Sequence, residues 1–561
     1  MGQQAAGCCA ELHGATSQQS VPGSRAKVAV HSAVEDEPMQ TFDLDESAPE
    51  KADRPALPCQ AGLAGAAVVS PQSSLSGSLT RLHSKDSRLA GGSQLEVDED
   101  IIRAVSLSTT LRSFGRAWRV NPQRLSPSEL NGLWDASEEA DGIDIFLSHT
   151  WSTPGHHKYL SLLLSSYWHY ALGGWSIAAT LVGLLYAARL LPSLPFQVIL
   201  PQGPVVDMAP WIHVVSPWIA LCGLMCAPYI SCSFSSTTRC FLDVACVNQA
   251  DELQQERGIY GIGGFLAVSR ELRVLWSPPY LSRLWCVFEI AAFRKANPLG
   301  KLVFQPLFIE RDILVVWLCM YLFTSALLFV IASGVRDGNT PFAFFFSICC
   351  LGMLPAVHCV RKGYREQEQI SQSLSEFDVS ALQCFSDFDK RFIHSAVMQW
   401  YGSLDEFNVF VRGPLKEEIL QTMLLSRVPF HLIILAMSPA VGLQFDVLAG
   451  ILTAGLSFDY WGRWLFGQIL TIDMLTACEL KCFFWLSKRF AKPRFSHPGM
   501  DFGQTILVVI LFACCLLPLA AVGRAYRGSL IEATLVSLAA CAVFCATFIC
   551  MPRLKALGKA S

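Results

Sequence analysis

Charge is what this chain has least of. Only 16% of its 561 residues are Asp, Glu, Lys or Arg, against 52% hydrophobic, and the mean hydropathy is +0.38. A soluble globular fold seldom carries that balance, so much of the apolar surface is expected to face lipid. Cys-x-x-Cys pairs are missing in spite of 21 cysteines, which argues against a zinc ribbon or a thioredoxin-like redox site. Most of the thiols, such as Cys222, Cys226, Cys349, Cys350, Cys514, Cys515, Cys541 and Cys545, stand in apolar runs and read as small hydrophobes. Those in cytosolic segments should be reduced. A secretory leader is lacking too, because Met1 opens neither a basic region nor an apolar one. The net charge of −3 gives no reason to expect nucleic acid as a partner.

The apolar residues gather into eight runs, each near the ~20 residues a helix needs to cross the hydrocarbon core: 171–192, 211–230, 313–333, 341–360, 428–450, 464–484, 504–523 and 530–551. They predict an α-helical multi-pass protein with the lipid bilayer as its partner, arranged as hairpins 171–230, 313–360, 428–484 and 504–551. Pro439, Asp446 and Asp473 leave the fifth and sixth spans open to a break or a tilt. Arg361, Lys362, Arg365, Lys390, Arg391, Arg412, Lys416 and Arg427 crowd the segment 361–427, and Lys488, Arg489, Lys492 and Arg494 follow the sixth span. The opposite loops are poor in base: 193–210 has none, 334–340 has Arg336, and 524–529 has Arg524 and Arg527. The positive-inside bias places the basic segments, the N-terminus and the tail 552–561 in the cytosol. Asp446, Asp473, Glu479 and Lys481 lie in or beside apolar runs, where ionisable groups often mark an ion path. A transporter or channel is one reading of them; loop-end or internally paired acids are the other.

Residues 1–98 are rich in Ser, Ala, Gly and charge and are expected to be disordered. Gly2 with Cys8 and Cys9 suggests a doubly acylated tail, though Ala6 replaces the usual Ser or Thr. Segment 99–141 is expected to be a helical lead-in, with Ile101, Ile102, Val105, Leu107, Leu111, Phe114 and Trp118 on one face.

Soluble patterning begins at GIDIFLSHT, 142–150, a buried strand with Asp144 inside it and a polar exit at Ser148 and His149. A helix from His156 carries Tyr159, Leu162, Leu163 and Tyr167 and runs directly into the first span. After a Ser-rich linker come a strand RCFLDVACVNQ at 239–249, a glycine-bearing loop through Gly258, Gly261, Gly263 and Gly264, and a helix near Phe265. A strand ELRVLWSP at 271–278, a helix carrying LWCVFEIAAF and a strand KLVFQPLF at 301–308 complete the pattern. Alternation of strand and helix predicts a parallel sheet flanked by helices. The glycine run lacks P-loop and dinucleotide spacing and reads as a flexible loop. His149, His156 and His157 lack the companions of a zinc site, and no metal is expected.

The DIFLSH strand, the FLD strand of Phe241 to Asp243, the VLWSPPY strand end and the WCVFE helix of Trp285 to Glu289, in that order, resemble the Toll/interleukin-1 receptor (TIR) homology domain. Plant and bacterial members are the most similar. The resemblance covers 142–168 and 239–310, with the first membrane hairpin inserted between them; a clear last strand and helix are missing, and 366–426 either supplies them or forms a separate helical unit. It implies a flavodoxin-like parallel sheet, signalling by self-association through the loop 244–260, which opens at Val244 and closes at Tyr260, and, in catalytic members, cleavage of NAD. Glu289 falls on the family's catalytic glutamate; NAD would be substrate, with no cofactor. Ser148, His149, Trp151 and Asp243 are placed at the substrate by nearness to the expected strand ends, where open α/β folds bind ligands, and amides after Asp243 would receive phosphate. Trp285 and Cys286 read as core. A non-catalytic scaffold, with Glu289 a surface acid near a helix start, is the competing reading, beside a transporter or channel with an appended TIR-like domain.

Overall fold

The computed structural model describes residues 88–550 except 91, 93, 121, 195, 201–202, 231–237, 333–350, 426–427 and 526–528. Residues 1–87 of the expected disordered tail, the acylation sites, most of the fourth expected span and the tail 552–561 lie outside the described residues; the described part of 88–98, also expected to be disordered, is instead packed into the fold, with Arg88 and Gln94 buried.

The described residues hold eight strands in chain order: β1 Arg103–Ser106, β2 Glu138–Glu139, β3 Ile143–Ser148, β4 Phe196–Ile199, β5 Val205–Met208, β6 Arg239–Phe241, β7 Ser269–Trp276 and β8 Lys301–Pro306. Six of them form one mixed sheet in the order β2-β1-β6-β3-β7-β8. Within it β6, β3, β7 and β8 are parallel, while β1 runs antiparallel to β6 and β2 antiparallel to β1. Parallel strands covered on both faces read as unbroken apolar runs, and β3 is buried at every position but Asp144. That acid serves the sheet: it accepts the Arg239 amide at 2.9 Å and faces the Arg270 guanidinium at 3.5 Å, tying the starts of β6 and β7 to β3.

The lead-in 99–141 is only partly helical. Arg103–Ser106 is a strand that covers the edge of β6, pairing Val105 with Cys240, so this segment is part of the sheet rather than a helix laid against it. Helix Leu107–Arg119, capped by the Ser106 hydroxyl, then breaks at a left-handed turn with φ of 51° at Ser113, 54° at Phe114 and 67° at Gly115. A side chain at Gly115 would put its Cβ 2.5 Å from the Tyr159 ring, so the backbone passes there only without one.

Between β6 and β7 the expected loop is largely helix, Glu252–Tyr260 followed by Ile262–Ala267. The glycine run is a packing device: Cβ atoms at Gly263 and Gly264 would lie 1.9 Å from the Gln94 carbonyl and 2.4 Å from the Val97 amide. The segment around Gln94 and Val97 crosses the helix there at backbone contact, which a flexible loop would not allow. Arg257 fastens the same segment through Asp98 at 2.9 Å and Asp100 at 2.6 Å.

Among the described residues six helices are long and apolar enough to cross a membrane: Gly155–Ala187, Trp211–Ile230, Phe308–Phe329, Phe430–Thr453, Pro498–Cys515 and Leu530–Ile549. They make the chain an integral membrane protein in character. The first is one helix with a kink at Tyr167, soluble before it and lipid-suited after it, as its two patterns predict. The sixth expected span is not among the six. Helices Phe458–Trp464 and Thr471–Arg489 with the π-helical turn between them carry Asp473, Glu479 and Lys481, too much charge for the purpose. Of the fourth expected span only 351–360 is described; helix Leu354–Ser375 carries its end on into the basic segment, where Arg361 is fully buried against Asp501 at 2.7 Å.

Asp446 stands mid-helix, not at a loop end. Its two oxygens accept the Ile212 and His213 amides at 2.7 and 2.8 Å, occupying the open donors at the start of helix Trp211–Ile230. Segment 376–425 is no separate unit. The Leu284 amide donates to the Gln383 carbonyl at 3.1 Å and the Gln383 amide to the Ser282 carbonyl at 2.9 Å, Tyr260 and Trp285 both donate to Asp389, at 2.7 and 3.2 Å, and the Tyr401 hydroxyl bonds the Ala291 carbonyl at 3.1 Å. No strand follows β8 among the described residues; helices close that side of the sheet instead.

Candidate functional site

From β3 the chain passes to β6 on one side and to β7 on the other, so the strand order reverses between β3 and β7. Open α/β sheets bind ligands outside the carboxyl ends of strands at such a point. Ser148 ends β3 there, and Tyr280 follows β7 in a short turn whose amide bonds the Ser277 carbonyl at 2.9 Å. The Thr153 and Ser277 hydroxyls meet across the same gap.

Glu289 reaches this edge from helix Leu284–Ala296. The Ser148 hydroxyl donates to its Oε2 and also meets the Tyr280 hydroxyl, which bonds the Cys286 carbonyl at 3.2 Å. One short chain of oxygens therefore joins both sides of the reversal to the helix. Burial pushes the Glu289 carboxyl up to about 8, with the negative Asp243 adding to the effect and the Ser148 bond opposing it. The residue as a whole is half-buried, yet protein crowds its carboxyl end, and that crowding is what penalises the charged form. Below pH 8 the free site thus holds a neutral acid.

His149, next along the chain, is buried with its ring edge-on to Trp118 and Trp151, at 5.3 and 4.8 Å between centroids. Burial lowers its pKa to about 4, helped by the Lys158 charge and opposed by Asp243, whose Oδ1 is 3.9 Å from Nε2. Neutral at pH 7, it is a packing and orienting group. Trp151 remains 42% exposed and donates its indole N–H to Asp243 Oδ2 at 2.9 Å. The Val244 amide donates to Asp243 Oδ1 at 2.8 Å, so the first amide after Asp243, expected to receive phosphate, is already occupied.

All five residues singled out from the sequence, Ser148, His149, Trp151, Asp243 and Glu289, thus meet around one sheet edge. Two further members were missed. Tyr280 sits in the quoted strand-end motif, but only the fold turns it toward Ser148. Lys158 is 1% exposed, with its ammonium 4.8 Å from the Trp151 ring centroid. Its only signal in the sequence is that it stands four residues before Leu162, on one helix face with it; the structure shows Ser161 and Leu162 both 0% exposed and that face turned inward. Cys286 is buried as expected, its thiol toward the His149 carbonyl at 3.5 Å, and burial raises its pKa well above the ordinary thiol range, against a nucleophilic thiolate. Trp285 is half-buried, packed edge-on to Phe288 at 5.4 Å.

The loop expected to serve self-association is mostly inaccessible at its start, because Val244, Ala245, Cys246 and Val247 are buried. Among the described residues no group of three or more His, Cys, Asp or Glu side chains is arranged to hold a metal ion. Comparison with known proteins finds no matching family model, no matching curated protein and no matching solved structure.

Proposed function

We propose that this chain is a membrane-anchored signalling protein with a cytosolic TIR-like domain that cleaves NAD to nicotinamide and an ADP-ribose product. The observation that carries the reading is the union of Glu289 with Ser148 at the β3/β7 reversal, with Trp151 and Asp243 at the same edge. Breaking the bond between the nicotinamide nitrogen and the ribose anomeric carbon leaves positive charge on the sugar while the bonding pair departs with neutral nicotinamide. A carboxylate beside the ribose stabilises that charge and orients the ribose hydroxyls, so the leaving group needs no proton. Water then adds to the anomeric carbon and gives up a proton.

The high pKa of Glu289 suits a site that waits neutral and ionises when occupied. The cationic nicotinamide ring of NAD favours the carboxylate over the acid, and the Ser148 hydroxyl holds one carboxylate oxygen in place. A flux role for the membrane half gains no support from Asp446, whose two bonds to a helix start account for its burial. The test is NAD consumption by the purified full-length protein in detergent, wild type beside Glu289→Ala, with chromatography for free nicotinamide. Release by the wild type alone is expected; equal turnover by both, or none by either at high protein concentration, removes the catalytic reading and leaves a scaffold or a membrane function.

A further inference from the structure

The Lys158 ammonium is buried and has no hydrogen-bond partner. Ammonium groups normally place three donors, and a buried one left without acceptors is costly. Its surroundings do not remedy this. Trp151 offers it only a ring face. Asp243 attracts it through space but spends its two oxygens on the Trp151 indole and the Val244 amide. The other base near the site, Arg283, is stacked over Phe385 at 4.5 Å. The short helix that starts at Asp243 presents a carboxylate, not open amides, to anything approaching.

We propose that Lys158 is the anion-binding residue of this site, taking a phosphate oxygen of the substrate once the exposed Trp151 side chain turns off it. The ligand class is a phosphate or diphosphate ester. Trp151 is suited to be the cover: it is held at one atom by one hydrogen bond, lies partly in solvent, and stands on the loop between β3 and the helix that carries Lys158. Turning it exposes three unused donors beside the strand ends and breaks one hydrogen bond, to Asp243, with the edge contact to the His149 ring and the ring-face contact to Lys158 itself. The identification of the ester as NAD rests on the function proposed above; the anion site does not.

The experiment uses full-length protein in detergent and two variants, Lys158→Met and Trp151→Phe. Inorganic pyrophosphate is titrated by calorimetry, the KM and kcat for NAD are measured, and the thermal midpoint is recorded. Lys158→Met is expected to weaken pyrophosphate at least tenfold and to raise KM by a similar factor, with kcat within threefold and the midpoint unchanged or higher. Trp151→Phe, which cannot hold Asp243, is expected to bind pyrophosphate more tightly. Unchanged pyrophosphate binding in Lys158→Met, with or without a lower midpoint, overturns the proposal and makes the lysine a structural partner of Asp243. Should Lys158→Met fail to fold, weaker pyrophosphate binding by Trp151→Phe overturns it instead. If wild type binds pyrophosphate through Lys158 but releases no nicotinamide, the NAD reading falls and the anion site stands.

Discussion

Replacing Glu289 by Gln should stabilise the protein, and increasingly so as pH rises. The carboxyl titrates near 4.5 in an unfolded chain and near 8 in the folded one. Between those values the folded state keeps a proton that the unfolded state has released, so wild-type stability falls as pH rises through this window and levels off above it. Each unit is worth about 1.4 kcal/mol, and the span of about 3.5 units sums to about 5 kcal/mol. Partial exposure of the residue lowers this to about 3–5 kcal/mol. Glutamine fills nearly the same volume, its carbonyl accepts the Ser148 hydroxyl, and it has no proton to lose. The two proteins should therefore melt together near pH 4.5 and diverge above it, by on the order of 10 °C at pH 8.5 if about 2–4 °C accompanies each kcal/mol. The assay is thermal unfolding in detergent from pH 4.5 to 9, wild type against Glu289→Gln, with Glu289→Asp as a second acid. A difference in midpoint that stays flat across this range would refute the assignment of a buried, protonated carboxyl, whatever the protein does.

The same titration governs the activity proposed: kcat/KM for NAD should climb about tenfold per pH unit as pH approaches 8 from below and then level off, because free enzyme must ionise Glu289; a profile flat from pH 6 to 9 excludes Glu289 as the group that must be charged. Asp446→Ala should cost about 2–4 kcal/mol through two amides left without acceptors in the membrane, and Asp446→Asn roughly half of that, since its carbonyl can still take one; detergent-melting midpoints rank the three proteins, and an unperturbed Asp446→Ala midpoint would return this acid to the candidates for an ion path. Gly263→Ala sets a methyl against the Gln94 carbonyl and should open the crossing of the 94–98 segment, seen as faster proteolysis before Arg103 and a loss of about 2–4 kcal/mol; a variant as resistant as wild type would show that the crossing is loose.

Much of the site could be read along the chain because strand ends announce themselves. An apolar run that stops at Ser148 and His149, and another that stops before Tyr280, mark where side chains leave the sheet. The acid of the WCVFE helix lies one turn past the same edge. Ser148, Trp151 and Asp243 were therefore reachable from the strand ends, whereas Glu289 was singled out only through the resemblance of the WCVFE helix to the family motif. Lys158 was not singled out, since a lysine among His156, His157 and Tyr159 looks like an exposed helix start until Trp151 and Asp243 are seen above it. The edge strand Arg103–Ser106 escaped for a related reason: four residues fit a helical period as well as an alternating one, and only the open edge of β6 chooses between them.

The sequence by itself determined that the chain enters a membrane and that strand and helix patterns stand on either side of the first hairpin, because both follow from local hydrophobic patterns, runs of about 20 apolar residues and periods of 3.6 or 2. Only the tertiary structure decided where the helices of the apolar runs begin and end, what Asp446 does, and that 142–148 and 239–306 share one sheet. Those outcomes depend on partners more than 90 residues away, such as Asp144 with Arg239, Ser148 with Glu289 and Ile212 with Asp446. A local pattern can show that a group needs a partner; which partner it finds is set by packing between distant segments.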